Sequence, residues 1–254
     1  MRWPLTLILS RKSLAKYQLI FRHLLIFKYV EQKLGEVWKN DQSLKELQVA
    51  SKLASGYHIR HKMLHFCKNC IYYMTVEVLE PKWHTLMLEL REAQTLDEML
   101  VKHDSFLDDC LKECLITDQE LLNTLKMITG TCLFFCKIVQ RFHTTIISDQ
   151  RLLSAHQGDG EEEQPFLNTL EERKARLKKE AFITATMIGE HDYERLMKDF
   201  EDKLEKHMKT LVVKAKQKYE GGMVEEHLLN MLARLDYNSY YSRVFGRGEV
   251  EDID

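Results

Sequence analysis

Proline and glycine are scarce in this sequence: its 254 residues include only three prolines and ten glycines. Residues that interrupt regular backbone structure are therefore rare, while apolar residues recur at helical spacing over long stretches. Long apolar runs are also missing, because the longest stretch without a charged side chain, residues 127–136, spans only ten residues. A membrane-spanning helix needs about 20 apolar residues. These absences favour an all-α fold and predict no insertion into a membrane.

The sequence shows no export signal, and disulfides are not expected in a protein that is not exported. The apolar run at residues 5–9 is short, and Arg11 and Lys12 follow it instead of a small-residue cleavage site. We therefore expect a reducing, intracellular setting. The six cysteines are then expected to behave as small buried apolar groups.

Histidine and cysteine recur at helical spacing in one segment, which raises a metal site as an alternative. His58, His61 and His65 are followed by Cys67 and Cys70. A structural zinc site needs four converging ligands, and no second Cys/His pair follows at the usual spacing. We therefore predict no metal and no cofactor, with the cysteines in the core.

Acidic side chains are absent from the first thirty residues, which carry six lysines and arginines. Through residue 76, thirteen basic residues stand against four acidic ones, a net charge of +9 that leaves −11 for the rest of the chain. Such asymmetry bears on the choice of partner and on the encounter rate. It predicts an acidic partner, but not nucleic acid, because Tyr17, Phe21 and Phe27 recur at core spacing instead of forming an exposed stacking surface.

The apolar periodicity predicts two long helices early in the chain. The first begins at Ser10 or Ser13 and ends near Trp38, and its apolar residues cover nearly the whole circumference, as in a helix at the centre of a bundle. These apolar residues are Leu14, Tyr17, Phe21, Leu24, Leu25, Phe27 and Val30. The second helix is predicted over about residues 43–79. Pro81 is expected to stop it, because proline disfavours helical geometry in the preceding residue.

Three later helix starts carry the pattern of a capping box, in which a hydroxyl and a carboxylate satisfy the free amides of the first turn. The boxes span Thr95 to Glu98, Thr117 to Glu120 and Thr169 to Glu172. Residues 149–168 are predicted to form a mobile acidic loop, and residues 243–254 a disordered tail. We predict one all-α domain over residues 1–254, an elongated bundle of long antiparallel helices.

Acidic residues on two predicted helices raise a magnesium-dependent enzyme as a further alternative, similar to the all-helical prenyl-diphosphate enzymes. The residues concerned are Asp104, Asp108, Asp109 and Glu113 on one helix and Asp199 and Asp202 on the other. Lys112 interrupts the carboxylate spacing, and the later pair lies on a face of alternating charge. Phosphate-loop, nucleophile-elbow and zinc-protease motifs are absent. The sequence therefore predicts a binding protein without catalytic activity.

Four segments resemble landmarks of one known family. They are RWPLTLILSRKSLAKYQLIFRH at residues 2–23, YYMTVEVLEPKW at 72–83, HDSFLDDCLKECL at 103–115 and ARLDYNSYY at 233–241. They resemble the C-terminal domain of the gamma-tubulin complex component family, which includes the spindle pole body components. A helical tethering or scaffold module of membrane traffic is the alternative, and it would share the composition but lack the first and last of these segments.

The resemblance implies a helical domain that binds gamma-tubulin and positions it for microtubule nucleation and attachment at the minus end. It implies a place in the cytoplasm, on the cytoskeleton, at a microtubule-organising centre such as a centrosome or spindle pole. Family members contact neighbouring complex components laterally, mainly through an N-terminal domain that this sequence does not contain. The expected partners are gamma-tubulin and those other components.

The predicted gamma-tubulin contacts are polar residues in or beside these segments that have no evident role in the core. They are Arg11, Arg22, His23, Arg60, Asp236 and Asn238. Two alternatives stay open at this point. Arg22 and Arg60 could form ion pairs inside the bundle, and Asp236 with Asn238 could hold the last helix in place.

Overall fold

The computed structural model describes residues 9–44, 54–155, 190–220, 226–236 and 243. Its helices are α1 (Arg11–Leu44), α2 (Ala54–Tyr72), a π-helical segment (Tyr73–Leu79), α3 (Glu80–Glu92), α4 (Leu96–Glu113), α5 (Gln119–Ala155), α6 (Glu190–Glu220) and α7 (Glu226–Leu235). No strand occurs in the described ranges, so the predicted all-α fold is confirmed for them.

The chain divides into two compact units. Unit 1 comprises Met1–Gln32, Lys62–Cys132 and Lys203–Asp254, and unit 2 comprises Lys33–His61 and Leu133–Asp202. The predicted capping box at Thr169 and the predicted tail from residue 244 onward lie outside the described residues. Helix α5 continues to Ala155, into the segment predicted as a loop, and the remainder of that segment is also outside them.

Helix α1 begins as predicted, because the Ser13 N–H donates a 3.1 Å hydrogen bond to Ser10 Oγ. Its buried positions alternate by three and four residues, the spacing of a single seam. In unit 1 these positions are Ser13, Lys16, Ile20, His23, Phe27 and Val30. The prediction of burial around the whole circumference was wrong, because Leu14, Phe21 and Leu25 lie opposite the seam and are 41%, 63% and 51% exposed.

Pro81 does not interrupt the helical backbone, contrary to the prediction that it stops the second helix, but the shorter helix expected to begin there is present as α3. The chain stays helical from α2 through the π-helical segment into α3, where Pro81 occupies the first turn. At that position proline is tolerated, because first-turn amides have no partner within their own helix. Just before it, the Glu80 N–H reaches back five residues to the Thr75 carbonyl, the bond of a π-helix.

The two described capping sequences behave differently. Thr95 caps α4 as predicted, with its hydroxyl accepting a 3.2 Å hydrogen bond from the Glu98 N–H. In α5 the cap is Asp118 and not Thr117: Asp118 Oδ1 accepts from the N–H groups of Glu120 and Leu121 at 3.0 and 3.1 Å. Asp118 is the preferred cap because its carboxylate accepts hydrogen bonds from two amides and also forms an ion pair with Lys218 on α6.

Replacing Asp118 with alanine is expected to lower the free energy of unfolding by about 1–2 kcal/mol, because the first turn of α5 loses its capping acceptor. Thr117→Ala, one residue earlier, is expected to cost less than about 0.5 kcal/mol. Urea unfolding followed by circular dichroism measures both. Asp118→Asn is the control, because it keeps a capping oxygen and removes only the charge. Equal costs for the two alanine variants would show that Asp118 is not the cap.

The π-helical segment contacts two other helices of unit 1, α4 and α7. The buried Tyr73 hydroxyl lies 3.1 Å from the Glu113 carbonyl at the end of α4 and 3.1 Å from the His227 carbonyl in α7. On α7, Arg234 donates to Glu77 Oε1 from Nε at 2.9 Å, and its guanidinium lies 4.0 Å from the centre of the Tyr72 ring. The segment therefore holds the last described helix against the rest of unit 1.

Unit 2 has an aromatic core and one buried ion pair. Phe200 of α6 lies edge-on to Phe135 of α5, with ring centres 5.7 Å apart. His143 Nε2 lies 2.7 Å from Asp41 Oδ1, and both side chains are only 3% exposed. This His–Asp pair was not predicted from the sequence.

Helix α5 contains a stretch, Gln119–Thr144, that is long and apolar enough to cross a membrane by length and composition alone. Core helices of soluble proteins pass the same test. In this stretch the buried residues recur at helical spacing and include Ile128, Cys132 and Phe135. The stretch thus has the pattern of a helix packed within protein.

Candidate protein-binding site

Arg11 and Arg22 lie on α1 in unit 1, and both are exposed. Neither forms an ion pair with any residue in the described part of the chain. Two guanidinium groups are thus available on one helix to a partner's carboxylates, which they can bind in a planar, two-pronged geometry. The alternative of an internal ion pair for Arg22 finds no support.

The lysines of α1 are engaged differently. Lys16 is buried and lies 2.6 Å from Asp104 Oδ1 and 2.6 Å from Asp108 Oδ1 on α4. The hydrogen bond from the Lys16 ammonium lowers the pKa of the Asp104 carboxyl below its usual range, although burial acts to raise it. Lys12 also approaches Asp104, at 3.5 Å. Both lysines tie α1 to α4; Lys16 is buried there, whereas the Lys12 side chain is exposed.

The acidic residues of α4 that raised the magnesium alternative are matched by lysines in unit 1. Besides the Lys16 pairs, Lys82 lies 2.8 Å from Glu113 and 3.9 Å from Asp109. Across the described ranges, no three His, Cys, Asp or Glu side chains converge closely enough to hold a metal ion. His58 Nε2 lies 3.8 Å from Glu201 Oε1, and the His65 ring lies within 3.3 Å of the Asn69 amide nitrogen.

His23 faces the interior of unit 1, although the sequence analysis placed it at the binding surface. Burial, assisted by the nearby charge of Lys126, lowers the pKa of His23 to about 4. The imidazole is therefore uncharged at neutral pH and packs edge-on against Phe27. Its Nε2 atom has no hydrogen-bond partner among the residues described.

Arg60 lies in unit 2 and is also buried. Its guanidinium lies 4.6 Å from the centre of the Trp38 ring, a cation–π contact. Burial lowers the pKa of Arg60, and the neighbouring Asp41 carboxylate opposes that shift. Arg60 is therefore part of the interior of its unit, but through the Trp38 ring and not through the ion pair that the sequence analysis left open.

The remaining two predicted contacts belong to the end of the chain. Asp236 is half-buried, and its N–H donates to the Leu232 carbonyl at 2.9 Å, which closes the last turn of α7. Asn238 lies outside the described residues. Of the six predicted contacts, the structure brings Arg11, Arg22 and His23 together on one helix.

Sequence reasoning missed a set of exposed apolar side chains on α1. They are Leu14, Leu19, Phe21, Leu25, Ile26 and Tyr29, which we call the apolar outer face. Three of them, Leu14, Phe21 and Leu25, were assigned to the core. No signal in the sequence separates them, because apolar residues surround this part of the helix and the buried seam itself includes Ser13, Lys16 and His23.

Comparison with known proteins adds an independent line of information. The sequence profile of the family "Gamma tubulin complex component C-terminal" matches residues 1–241. Gamma-tubulin complex component 2 of Mus musculus is 32% identical over 260 residues, covering 98% of this chain and 28% of the mouse protein. Spindle pole body component alp4 of Schizosaccharomyces pombe is 37% identical over 147 residues, covering 55% of this chain and 19% of the yeast protein. This chain thus spans less than a third of the mouse protein's length.

Proposed function

We propose a function on the premise that the chain belongs to the gamma-tubulin complex component family. It binds gamma-tubulin as a subunit of the gamma-tubulin complex, and it holds gamma-tubulin for microtubule nucleation and attachment at the minus end. Its place is the cytoskeleton at a microtubule-organising centre, a centrosome or spindle pole. Other complex components are its lateral neighbours.

The physical basis of such an activity is preorganisation and not catalysis. Free subunits that must meet in the geometry of a microtubule lattice lose translational and rotational freedom at each step. A complex that already holds several gamma-tubulins side by side raises their effective concentration and removes most of that loss. Within each of the two units the described helices pack through buried apolar residues, and such close packing favours a stiff support.

One observation carries the proposal beyond family membership: Arg11 and Arg22 are exposed and unmatched by any described carboxylate, on a stretch of chain without acidic residues. Tubulins as a family are acidic, so a basic helix favours encounter with them. We place these two arginines in direct contact with gamma-tubulin, with Asp236 and Asn238 as further contacts. His23 and Arg60 would support the binding surface from inside their units.

The proposal is tested by measuring binding of purified gamma-tubulin to the chain at several salt concentrations. We expect Arg22→Glu to slow association about fivefold at low salt, with a smaller effect at high salt, because exposed charges are screened over about 8 Å at physiological ionic strength. Arg91→Glu is the matched control, since Arg91 is an exposed arginine of α3 in the same unit. Absence of binding by the unaltered chain at low salt would refute the proposed function.

A further inference from the structure

The first half of α1 carries large apolar side chains on both its buried and its exposed sides. Its buried seam contains Ser13, Lys16 and His23 beside Ile20, Phe27 and Val30. The apolar outer face lies on the other sides of the same turns, and Phe21 within it is 63% exposed. Hydrophobic burial alone therefore does not decide which side of the helix faces inward.

Polar contacts with α4 fix the orientation of α1. The Lys16 ammonium lies between Asp104 and Asp108, and the Tyr17 hydroxyl lies 3.0 Å from His103 Nε2. Rotating α1 to bury Phe21 would break the two ion pairs of Lys16 and the contact between Tyr17 and His103. The helix is thus held with its apolar residues facing outward.

The apolar outer face has the layout of a helix-binding surface. Leu14, Phe21 and Leu25 are spaced by seven and four residues and form one stripe, and Leu19 with Ile26 forms a second stripe seven residues apart. Arg11 and Arg22 are eleven residues apart, three helical turns, and fall on the line between the two stripes. Apolar anchors at this spacing, flanked by charge, are the pattern by which one amphipathic helix receives another.

We propose that the apolar outer face of α1 is the surface on which gamma-tubulin is held, through an acidic amphipathic helix of that partner. This inference rests on the proposed function and specifies it. Charge complementarity indicates an acidic partner. The two arginines between the stripes form no ion pair with a carboxylate among the described residues, and the first acidic residue of the chain is Glu31. Phe21 and Leu25 anchor the complex, while Arg11 and Arg22 guide its formation.

The apolar anchors and the arginines are expected to affect different rate constants of binding. Apolar anchors are lost only when the complex separates, so their removal raises the dissociation rate, whereas the exposed arginines act mainly on association by attracting an acidic partner over a distance. The anchors are also insensitive to salt, because the Debye length governs only charged contacts. Removing the apolar anchors is therefore expected to change the dissociation rate, and removing the arginines is expected to change the association rate.

The test measures association and dissociation of gamma-tubulin on the immobilised chain by biolayer interferometry. Phe21→Ser with Leu25→Ser is expected to raise the dissociation rate about tenfold or more at every salt concentration, with an association rate within about threefold of the unaltered chain. Val101→Ser with Leu88→Ser is the control, since both residues are exposed, apolar and in unit 1. Circular dichroism confirms that the variants remain helical.

A second measurement identifies the occupant. A photo-reactive benzoyl-phenylalanine replaces Phe21, or Val101 as control, and mass spectrometry identifies the cross-linked peptide. We expect a gamma-tubulin peptide rich in Asp and Glu at position 21 and none at position 101. Cross-links from position 21 only to a second copy of this chain, or only to another complex component, would overturn the inference.

The outcomes separate the two proposals. If the unaltered chain binds gamma-tubulin and the Phe21 and Leu25 variants dissociate at the same rate as it does, the apolar outer face is not the docking surface, and the proposed function stands. If the unaltered chain does not bind gamma-tubulin, both fail. Faster dissociation together with the expected cross-link supports both.

Discussion

Replacing His143 with leucine is expected to lower the free energy of unfolding by about 3–5 kcal/mol, because it leaves the Asp41 carboxylate buried without its ion-pair partner. The two side chains lie 2.7 Å apart in unit 2, and each is 3% exposed. His143 Nε2 is not aligned for a hydrogen bond with the carboxylate. Removing His143 therefore leaves the Asp41 carboxylate without its nearest polar neighbour.

The Asp41 carboxylate also acts on Tyr57, Tyr193 and Arg60. Burial raises the pKa values of Tyr57 and Tyr193, and the Asp41 carboxylate raises them further. Neither hydroxyl has a hydrogen-bond partner among the described residues. Arg60 is a nearby cation that the Asp41 carboxylate attracts, and its guanidinium also contacts the Trp38 ring.

Two further variants distinguish a buried charge from a simple loss of packing. Asp41→Asn removes the charge with little change in volume, and it is expected to cost less than His143→Leu because it leaves no carboxylate buried without a partner. Replacing both residues with leucine is expected to recover most of the loss, since an apolar pair needs no compensation. Hydrogen exchange of amides in residues 33–44 and 133–144 measures the effect locally. A double variant as unstable as His143→Leu would contradict this account.

Gly56→Ala is expected to lower the free energy of unfolding by about 1–3 kcal/mol, the usual cost of overpacking. A Cβ atom at Gly56 in α2 would clash with the Tyr193 hydroxyl oxygen of α6, and both residues belong to unit 2. The rigid Tyr193 ring is itself buried and packs edge-on against Phe142, with ring centres 4.9 Å apart. It therefore has no free space into which to withdraw.

Gly35→Ala is the matched control, because a Cβ at Gly35 in α1 meets nothing within 4 Å. Alanine there is expected to add about 0.5–1 kcal/mol, since the unfolded chain loses conformational freedom. Tyr193→Phe should rescue Gly56→Ala, because it removes the clashing oxygen, which has no hydrogen-bond partner among the described residues. Thermal unfolding of the four proteins gives the comparison. If Tyr193→Phe fails to restore stability, the hydroxyl is not the obstacle.

Much of the helical architecture could be predicted because its signals are local. The Ser10 cap of α1 and the Thr95 cap of α4 depend on residues within one turn. The core positions of α6, such as Phe200 and Leu204, follow from a regular apolar stripe on an otherwise charged helix. Where one face is apolar and the other charged, the sequence alone determines which face is buried.

The remaining features depend on distant parts of the chain. Apolar residues surround the first half of α1, so only its contacts with α4 decide which side faces inward. Leu115 adopts a left-handed conformation, with φ of 61°, at the end of α4, although glycine is the usual residue there. Its side chain is buried, and core packing outweighs the backbone preference at this turn. No local pattern announces either outcome.

The candidate site was predicted in part for the same reason. Arg11 and Arg22 are displayed as expected, because nothing nearby on α1 competes for them. His23 falls on the seam and Arg60 beside Trp38, positions set by tertiary packing. Phe21 and Leu25 could not be predicted as binding residues from the sequence, because an exposed apolar anchor is the same type of residue as a core residue.

The buried thiols have a practical consequence for anyone who wishes to follow this molecule at work. All six cysteines are buried thiols, and burial raises the pKa values of Cys110 and Cys114 to about 12. Alkylating reagents attack only the thiolate, so the native sulfurs should remain unlabelled while the fold is intact. A single cysteine added to the exterior could then carry a maleimide fluorophore, with no natural cysteine removed.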